Sequence, residues 1–310
     1  MYNPKGFGKV AVLAGGPSSE RAISIRSGRA VYKALKKAGC DVVWEDLTGV
    51  GVKRVMNKLS ADLVFLALHG RFGEDGTIQK VLENMGFPYT GSGVTASKLA
   101  LDKIASKKIF EKRGIPVPPY RILDRRNAKK AKGFLYPLVV KPQNEGSSIG
   151  LSIVKRNEEL NDAFKRAFRY SDKIIVERFI EGREITVGIL DEKPLPVIEI
   201  VPGRDFYDFY AKYKDKKTEY MVPASLPRHI YKRAQKLGLL AHKALRCRDF
   251  SRVDMILSER GDIFVLEVNT IPGLTTRSLL PKAAGSAGIR FDELCMKLLE
   301  LALKNRGDKD

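Results

Sequence analysis

Tryptophan occurs once in these 310 residues, and histidine and cysteine three times each. Cys40, Cys247 and Cys295 are odd in number, far apart and embedded in apolar patterns, with no CxxC pair. This spacing excludes a disulfide framework and a thiolate metal site, and leaves buried structural thiols. No stretch approaches the roughly 20 apolar residues that a membrane span needs. The start, Met1-Tyr2-Asn3-Pro4-Lys5, has no apolar secretion segment. The expected location is therefore cytoplasmic. Internal repeats, zinc-finger and RNA-recognition signatures and a Walker A loop are also missing.

Acidic residues are in deficit, 36 against 56 basic ones, for a net charge of +20. Such a balance raises nucleic acid or an anionic surface as a partner. The basic residues are spread along the chain, and the densest clusters, Arg125 to Lys132 and Lys212 to Lys217, do not interleave with aromatics. A solvated basic surface is the better reading, with anionic substrates such as nucleotide phosphates also favoured; no nucleic-acid partner is expected.

What the chain does have is enough apolar content, 44%, to fill two or three packed units. Its first hundred residues alternate strand and helix signals: Val10 to Ala14, Ala30 to Ala38, Val42 to Trp44, then Leu63 to Leu68. That order predicts a parallel sheet covered by helices, with ligands at the carboxyl ends of its strands. Two of those ends carry polar, glycine-containing turns, Gly15 to Arg21 and His69 to Gly76, which should line one edge. A second unit is expected near Ser97, opening with a helix from Lys98 to Arg113 that stops at Gly114-Ile115-Pro116. Strands at Leu138 to Lys141 and Leu151 to Val154 flank a small-residue loop, Glu145 to Gly150. The loop is a phosphate candidate because its backbone N–H groups are accessible and Lys141 leads into it. An ordinary hairpin turn reads equally well.

The richest segment is a predicted hairpin, Ser251 to Leu257 and Ile263 to Asn269. A four-residue connection pairs Asp254 with Glu267 and Arg252 with Asn269. The other face then pairs Val253 with Val268, Met255 with Leu266 and Leu257 with Phe264, and Ser258 falls opposite Ile263. Period-two alternation thus converges Arg252, Asp254, Glu267 and Asn269 on one face. Two carboxylates, an amide and a guanidinium suit a hard cation held together with phosphate oxygens. A salt-bridged surface hairpin is the plain alternative. The aromatic and charged run Phe206 to Tyr213 reads as a lid rather than a core strand.

In order along the chain, these segments resemble the D-alanine:D-alanine ligase family from about Lys9 to Leu303. The carrying residues are Gly15 to Arg21, Leu68 to Gly70 with Gly73 to Gly76, Tyr89 to Gly93, Lys141-Pro142 with Glu145 to Gly150, and Glu267 to Thr275. The resemblance implies an α/β, three-domain ATP-grasp fold: an N-terminal parallel domain over 1–96, a central domain over 97–183 and a C-terminal catalytic domain over 184–310. It implies ATP-dependent joining of two D-alanine molecules through a D-alanyl phosphate, in peptidoglycan precursor synthesis, with two Mg²⁺ or Mn²⁺ ions and a homodimeric assembly.

By the same resemblance, Asp254, Glu267 and Asn269 are metal ligands. Lys103, Lys141 and Lys212 meet nucleotide phosphates, and Glu177, Ile180 and Glu184 meet adenine and ribose. Arg252 and the Gly273 N–H form an oxyanion hole. Glu20 holds the first ammonium with His69 nearby, and Ser278 with the Leu279 backbone takes the second carboxylate. Ser147, Tyr213 and Glu20 form the trio that closes the lid, and Tyr213 favours D-alanine over D-lactate as acceptor. The departures are Ala22, Phe72 and Arg277. The last two are expected at the rim of the amino-acid site.

Overall fold

The computed structural model describes residues 3–48, 52–128, 133–203 and 217–305. Its first sheet joins β1 (Lys9–Gly15), β2 (Asp41–Leu47) and β3 (Leu63–Leu66) in parallel, in the order β2-β1-β3. The central strand β1 is buried from Val10 to Ala14, as a strand covered on both faces must be. Val10 and Val12 share a core with Val31 and Leu35 of helix α1 (Arg21–Lys37). Ala11 and Leu13 face the opposite core, with Ile78 and Leu82 of helix α3 (Thr77–Met85). The short helix α2 (Val52–Asn57) links β2 to β3.

The single helix expected from Lys98 to Arg113 is two, α4 (Val94–Leu101) and α5 (Lys103–Lys112). Asp102 breaks it. Its backbone is extended, and its carboxylate accepts from the N–H groups of Ile104 and Ala105 at 3.0 Å each. A short acidic side chain offers those donors a partner outside the helix ladder, so a new helix starts there. Gln143 clamps the break, donating Nε2 to Asp102 at 2.8 Å and accepting the Lys103 N–H at 3.1 Å.

The second sheet is antiparallel, in the order β4 (Tyr120–Asp124), β7 (Lys173–Arg178), β5 (Leu138–Pro142), β6 (Ser152–Val154), and is covered by α6 (Leu160–Ala167). The third sheet is antiparallel too: β11 (Glu219–Met221), β10 (Ile198–Val201), β8 (Gly182–Leu190), β12 (Phe250–Ser258), β13 (Ile263–Asn269), with β9 (Lys193–Pro194) beside β8. One face of this sheet packs on α7 (Arg228–Ala244) and also on α4 and α5, through Ala96, Ala100 and Phe110. Helices α8 (Leu279–Ser286) and α9 (Phe291–Lys304) follow, and α9 returns Leu294 and Leu298 to the core beside α1. All three cysteines are buried and free.

The β12–β13 hairpin keeps the expected pairs Arg252 with Asn269, Val253 with Val268 and Asp254 with Glu267. Nearer the turn the expected register is overturned. Met255 pairs with Val265, Ile256 with Phe264 and Leu257 with Ile263, because a bulge follows Asp254. The turn is a residue tighter than a four-residue connection, with Ser258 bonding back to Asp262 and Gly261 at φ +84° in the left-handed region. A three-residue loop ending on a left-handed glycine shifts the pairing by one, and the bulge shifts it back. Leu266, the extra residue, thereby faces the same cavity as Asp254 and Glu267.

Candidate active site

Two cavities meet at Lys103 and Glu267, which line both. The smaller, about 350 Å³, lies between the second and third sheets. Its walls include Val139, Lys141, Ile153, Glu177, Ile180, Glu184, Ile200, Asp254, Met255 and Leu266. The larger, about 680 Å³, is walled by Glu20, His69, Glu74, Ser147, Arg252, Glu267, Asn269, Gly273, Ser278 and Leu279. The two polar turns that the parallel sheet predicts at one edge therefore do share a wall.

Asp254 sits at the junction in a dense net of donors. Arg252 forks onto both its oxygens at 2.8 and 2.7 Å, Thr186 Oγ1 donates at 2.7 Å and Asn269 Nδ2 at 3.0 Å. Glu267 Oε2 lies 3.4 Å from Lys103 Nζ, which also donates to the Glu145 carbonyl at 2.6 Å. Lys103 is placed there by the helix break at Asp102. Among the described residues, no group of three His, Cys, Asp or Glu side chains could hold a metal ion by itself. Asp254, Glu267 and the Asn269 amide form an all-oxygen partial set, which fits a hard cation that keeps phosphate and water ligands.

In the smaller cavity, Lys141 donates to Glu177 Oε1 at 2.6 Å, and Lys107 ion-pairs with Glu177 Oε2 at 2.9 Å. Burial pushes the Glu177 carboxyl up, but the Lys107 and Lys141 ammoniums outweigh it and hold it below the usual range.

The larger cavity begins at Glu20, the residue preceding α1. Ser24 fixes this turn, accepting from the Gly15 N–H at 2.8 Å and donating to the Ala67 carbonyl at 2.7 Å. Ser147 Oγ donates to Glu20 Oε1. Glu20 Oε2 is pressed between Gly70 and Gly146, where an added Cβ would stand 2.8 Å from it in either case. Arg71 ties the same two loops together, reaching Glu145 at 3.0 Å and the Tyr170 carbonyl at 2.8 Å.

The Gly70 N–H donates to Glu74 Oε2 at 2.6 Å, so Glu74 and Glu20 flank one residue. Enclosure first, and then the Glu20 charge, raise the Glu74 carboxyl well above its ordinary value. His69 bonds Ser27 Oγ through Nε2 at 3.0 Å, and burial lowers it to about 4, a backbone hydrogen bond to Ile271 partly offsetting this; the ring is neutral near pH 7. At the far wall, Ser278 precedes α8, its Oγ accepting from the Thr275 N–H at 3.1 Å and standing 3.0 Å from a Cβ built on Gly273. A hydroxyl and free N–H groups at a helix start suit a carboxylate.

Of the expected site residues, Glu20, His69, Lys103, Lys141, Ser147, Glu177, Ile180, Glu184, Arg252, Asp254, Glu267, Asn269, Gly273, Ser278 and Leu279 converge on these two cavities. Lys212 and Tyr213, with the rest of the run from Phe206, lie outside the described residues. Arg277 reaches the larger cavity as expected, but Phe72 lines neither; it packs beside the Leu68 and Ile78 core. Sequence reasoning did not single out Glu74, Lys107 or Thr186. Glu74 lay in plain view inside the Gly73 to Gly76 turn, whereas nothing in sequence spacing marks the other two.

The model of the D-ala D-ala ligase C-terminus matches residues 109–300, and that of the N-terminus matches 49–92. The D-alanine–D-alanine ligase of Geobacter sulfurreducens is 50% identical over 305 residues, 96% of each chain. This chain belongs to the D-alanine–D-alanine ligase family. The fold agrees. A solved ligase of this family from Bacillus anthracis superposes with a TM-score of 0.85 at 38% identity, over 96% of this chain and 98% of that one. The Bacillus anthracis ligase complexed with ATP gives 0.82 at 35%, over 96% and 98%, and the VanG D-Ala:D-Ser ligase of Enterococcus faecalis 0.82 at 31%, over 95% and 99%. The architecture is thus the α/β ATP-grasp fold of these ligases, and no helix among the described residues is long and apolar enough to cross a membrane.

Proposed function

We propose that this chain joins two D-alanine molecules into D-alanyl-D-alanine at the expense of ATP, as a step in peptidoglycan precursor synthesis. The observation that carries the reading is the junction of the two cavities at Lys103 and Glu267, beside Asp254 and Asn269. It sets Lys103, Glu267, Asp254 and Asn269 between an apolar slot and a polar chamber, an arrangement that supports phosphate binding there. The slot takes the adenine and ribose against Ile180, Glu177 and Glu184, and Lys103, Lys141 and Lys212 take the phosphates. The chamber takes the amino acids.

Glu20 holds the ammonium of the first D-alanine, with neutral His69 beside it. The carboxylate of this D-alanine attacks the γ-phosphorus of ATP, forming a P–O bond as the bond to ADP breaks. The amine of the second D-alanine, its carboxylate held by Ser278 and the Leu279 N–H, then attacks the acyl carbon. The C–N bond forms, the C–O bond to phosphate breaks, and the amine loses a proton. Arg252 and the Gly273 N–H face the oxyanion of that step, where preorganised donors lower the barrier. Asp254, Glu267 and Asn269 would hold two Mg²⁺ or Mn²⁺ ions, which would supply positive charge to the phosphate oxygens. Ser147 and Glu20, with Tyr213, close the chamber and keep water from the acyl phosphate. The units over 1–96, 97–183 and 184–310 act as the three domains of a homodimeric enzyme.

The test is phosphate release from ATP and Mg²⁺ with D-alanine, L-alanine, D-serine or D-alanine plus D-lactate, with mass analysis of the product. Release requires D-alanine and yields the dipeptide. Release only with a different acceptor overturns the substrate. Glu267→Gln removes turnover by on the order of a thousandfold while the thermal unfolding curve stays cooperative.

A further inference from the structure

Lys107 is fully buried, yet it lines neither cavity and takes no part in the chemistry above. It stands one turn after Lys103 on α5, with its Nζ 2.9 Å from Glu177 Oε2 and 5.2 Å from the centre of the Tyr120 ring. The other Glu177 oxygen is held by Lys141 at 2.6 Å. Glu177 is 3% exposed and Lys141 7%. Two ammoniums therefore contact one carboxylate at the cavity wall, one positive charge more than the carboxylate balances.

Such an excess is costly unless something of opposite sign completes it. The remaining carboxylate on α5, Glu111, accepts the Tyr120 hydroxyl of β4 at 2.9 Å and acts on Lys107 only through its field, without an ion pair to it. Lys141 and Glu177 face the smaller cavity, whereas Lys107 stays behind them. The two lysines are thus unequal: Lys107 is committed to Glu177, and Lys141 can be shared with an occupant of the cavity. Burial lowers the Lys107 ammonium below its ordinary value and Lys141 adds to this, while Glu177 and then Glu111 oppose the shift.

We propose that Lys107 is a positioning residue for the nucleotide. It serves as the fixed counter-charge of Glu177, so that Lys141 is free to leave Glu177 for the phosphate oxygens. The proposal rests on the reading that the smaller cavity holds ATP. Without Lys107, Lys141 and Glu177 form a closed neutral pair that ATP must break.

The experiment measures binding of a non-hydrolysable ATP analogue by calorimetry, beside steady-state kinetics, in four proteins: the parent, Lys107→Met, Lys107→Arg and the double variant Lys107→Met with Glu177→Gln. Lys107→Met is expected to weaken the analogue and raise KM for ATP by about tenfold. The KM for D-alanine stays unchanged and kcat at saturating ATP stays within about threefold. Lys107→Arg restores binding. In the double variant the analogue binds more tightly than in Lys107→Met, because Lys141 has lost its trap. In Lys107→Met the raised KM for ATP falls back on the acid side of the pH profile, since Glu177 has lost one of the two ammoniums that hold its carboxyl down, and protonating it releases Lys141 as Glu177→Gln does. Unchanged analogue affinity in a folded Lys107→Met overturns the proposal, and so does a double variant that binds no better than the single one. A parent that binds the analogue but releases no phosphate with D-alanine overturns the proposed reaction and leaves the role of Lys107 standing.

Discussion

Asp254 accepts four hydrogen bonds, two from Arg252 and one each from Thr186 and Asn269, which is about the capacity of a carboxylate. Thr186 is 1% exposed, and its single O–H lies between two acceptors, Asp254 Oδ1 at the shorter 2.7 Å and the Val253 carbonyl at 3.0 Å. It bears on the rotamer of a proposed metal ligand. Replacing the hydroxyl by a methyl in Thr186→Val keeps the shape and releases that oxygen. The Mg²⁺ concentration for half-maximal phosphate release is expected to rise about tenfold, with the KM for D-alanine unchanged. A magnesium titration in which the two proteins coincide would sink the idea. Thr186 also shows where sequence reading stops. Asp254 and Glu267 are legible because carboxylates at alternate positions of two strands must share a face. A threonine inside an apolar strand looks like any β-branched residue until β8 pairs with β12 and brings it to Asp254.

The elements tell the same story at a larger size. The pairing Asp254 with Glu267 was readable, since a wholly apolar opposite face fixes it. The bulge that puts Leu266 into the smaller cavity was not, because the tighter turn and the bulge cancel and leave the far end of the hairpin in register. The break at Asp102 was hidden for another reason: Lys98 to Arg113 is helical in composition throughout, and only the cap bonds and the Gln143 clamp divide it. That break matters for chemistry, because it starts α5 at Lys103 and aims that ammonium at the Glu145 carbonyl and Glu267. Asp102→Ala is expected to cost about 1 kcal/mol of stability through the lost cap. It should also raise the KM for ATP several-fold as Lys103 loses its anchor. Thermal melts and ATP titrations read the two effects separately; a lower Tm with an unchanged KM would show that the cap does not place Lys103.

Across the molecule, the first and third sheets are joined by a polar weld. Arg248 donates to the Gly91 carbonyl at 3.1 Å and covers the Tyr89 ring at 5.3 Å, while Asp249 accepts from the Gly91 N–H at 2.8 Å and from Asn305 at 2.5 Å. Among the described residues, Ser147 and Arg71 tie the second sheet's loops to the first unit. The weld carries a pH signature. Burial pushes the Asp249 carboxyl up to about 6, against the pull of its Gly91, Arg248 and Asn305 partners. A native value above the unfolded one means that the native state keeps a proton the unfolded chain has already lost. The stability tied to that proton is fully present below about pH 4 and disappears as pH rises through 6, a cost of about 3 kcal/mol at pH 7. His69 and His242, both lowered to about 4 mainly by burial, work in the other direction, since their contribution is present above pH 6.5 and is lost as pH falls toward 4. Between pH 4.5 and 6 the two histidines oppose the single Asp249 carboxyl and mask its trend in the parent. Asp249→Asn separates them, because asparagine still accepts from Gly91 but carries no proton to lose. The Tm of the variant minus that of the parent should become more positive from pH 4 to pH 7, with most of the change between 4 and 6. A difference constant across that range would mean that Asp249 is ionised in the native weld throughout.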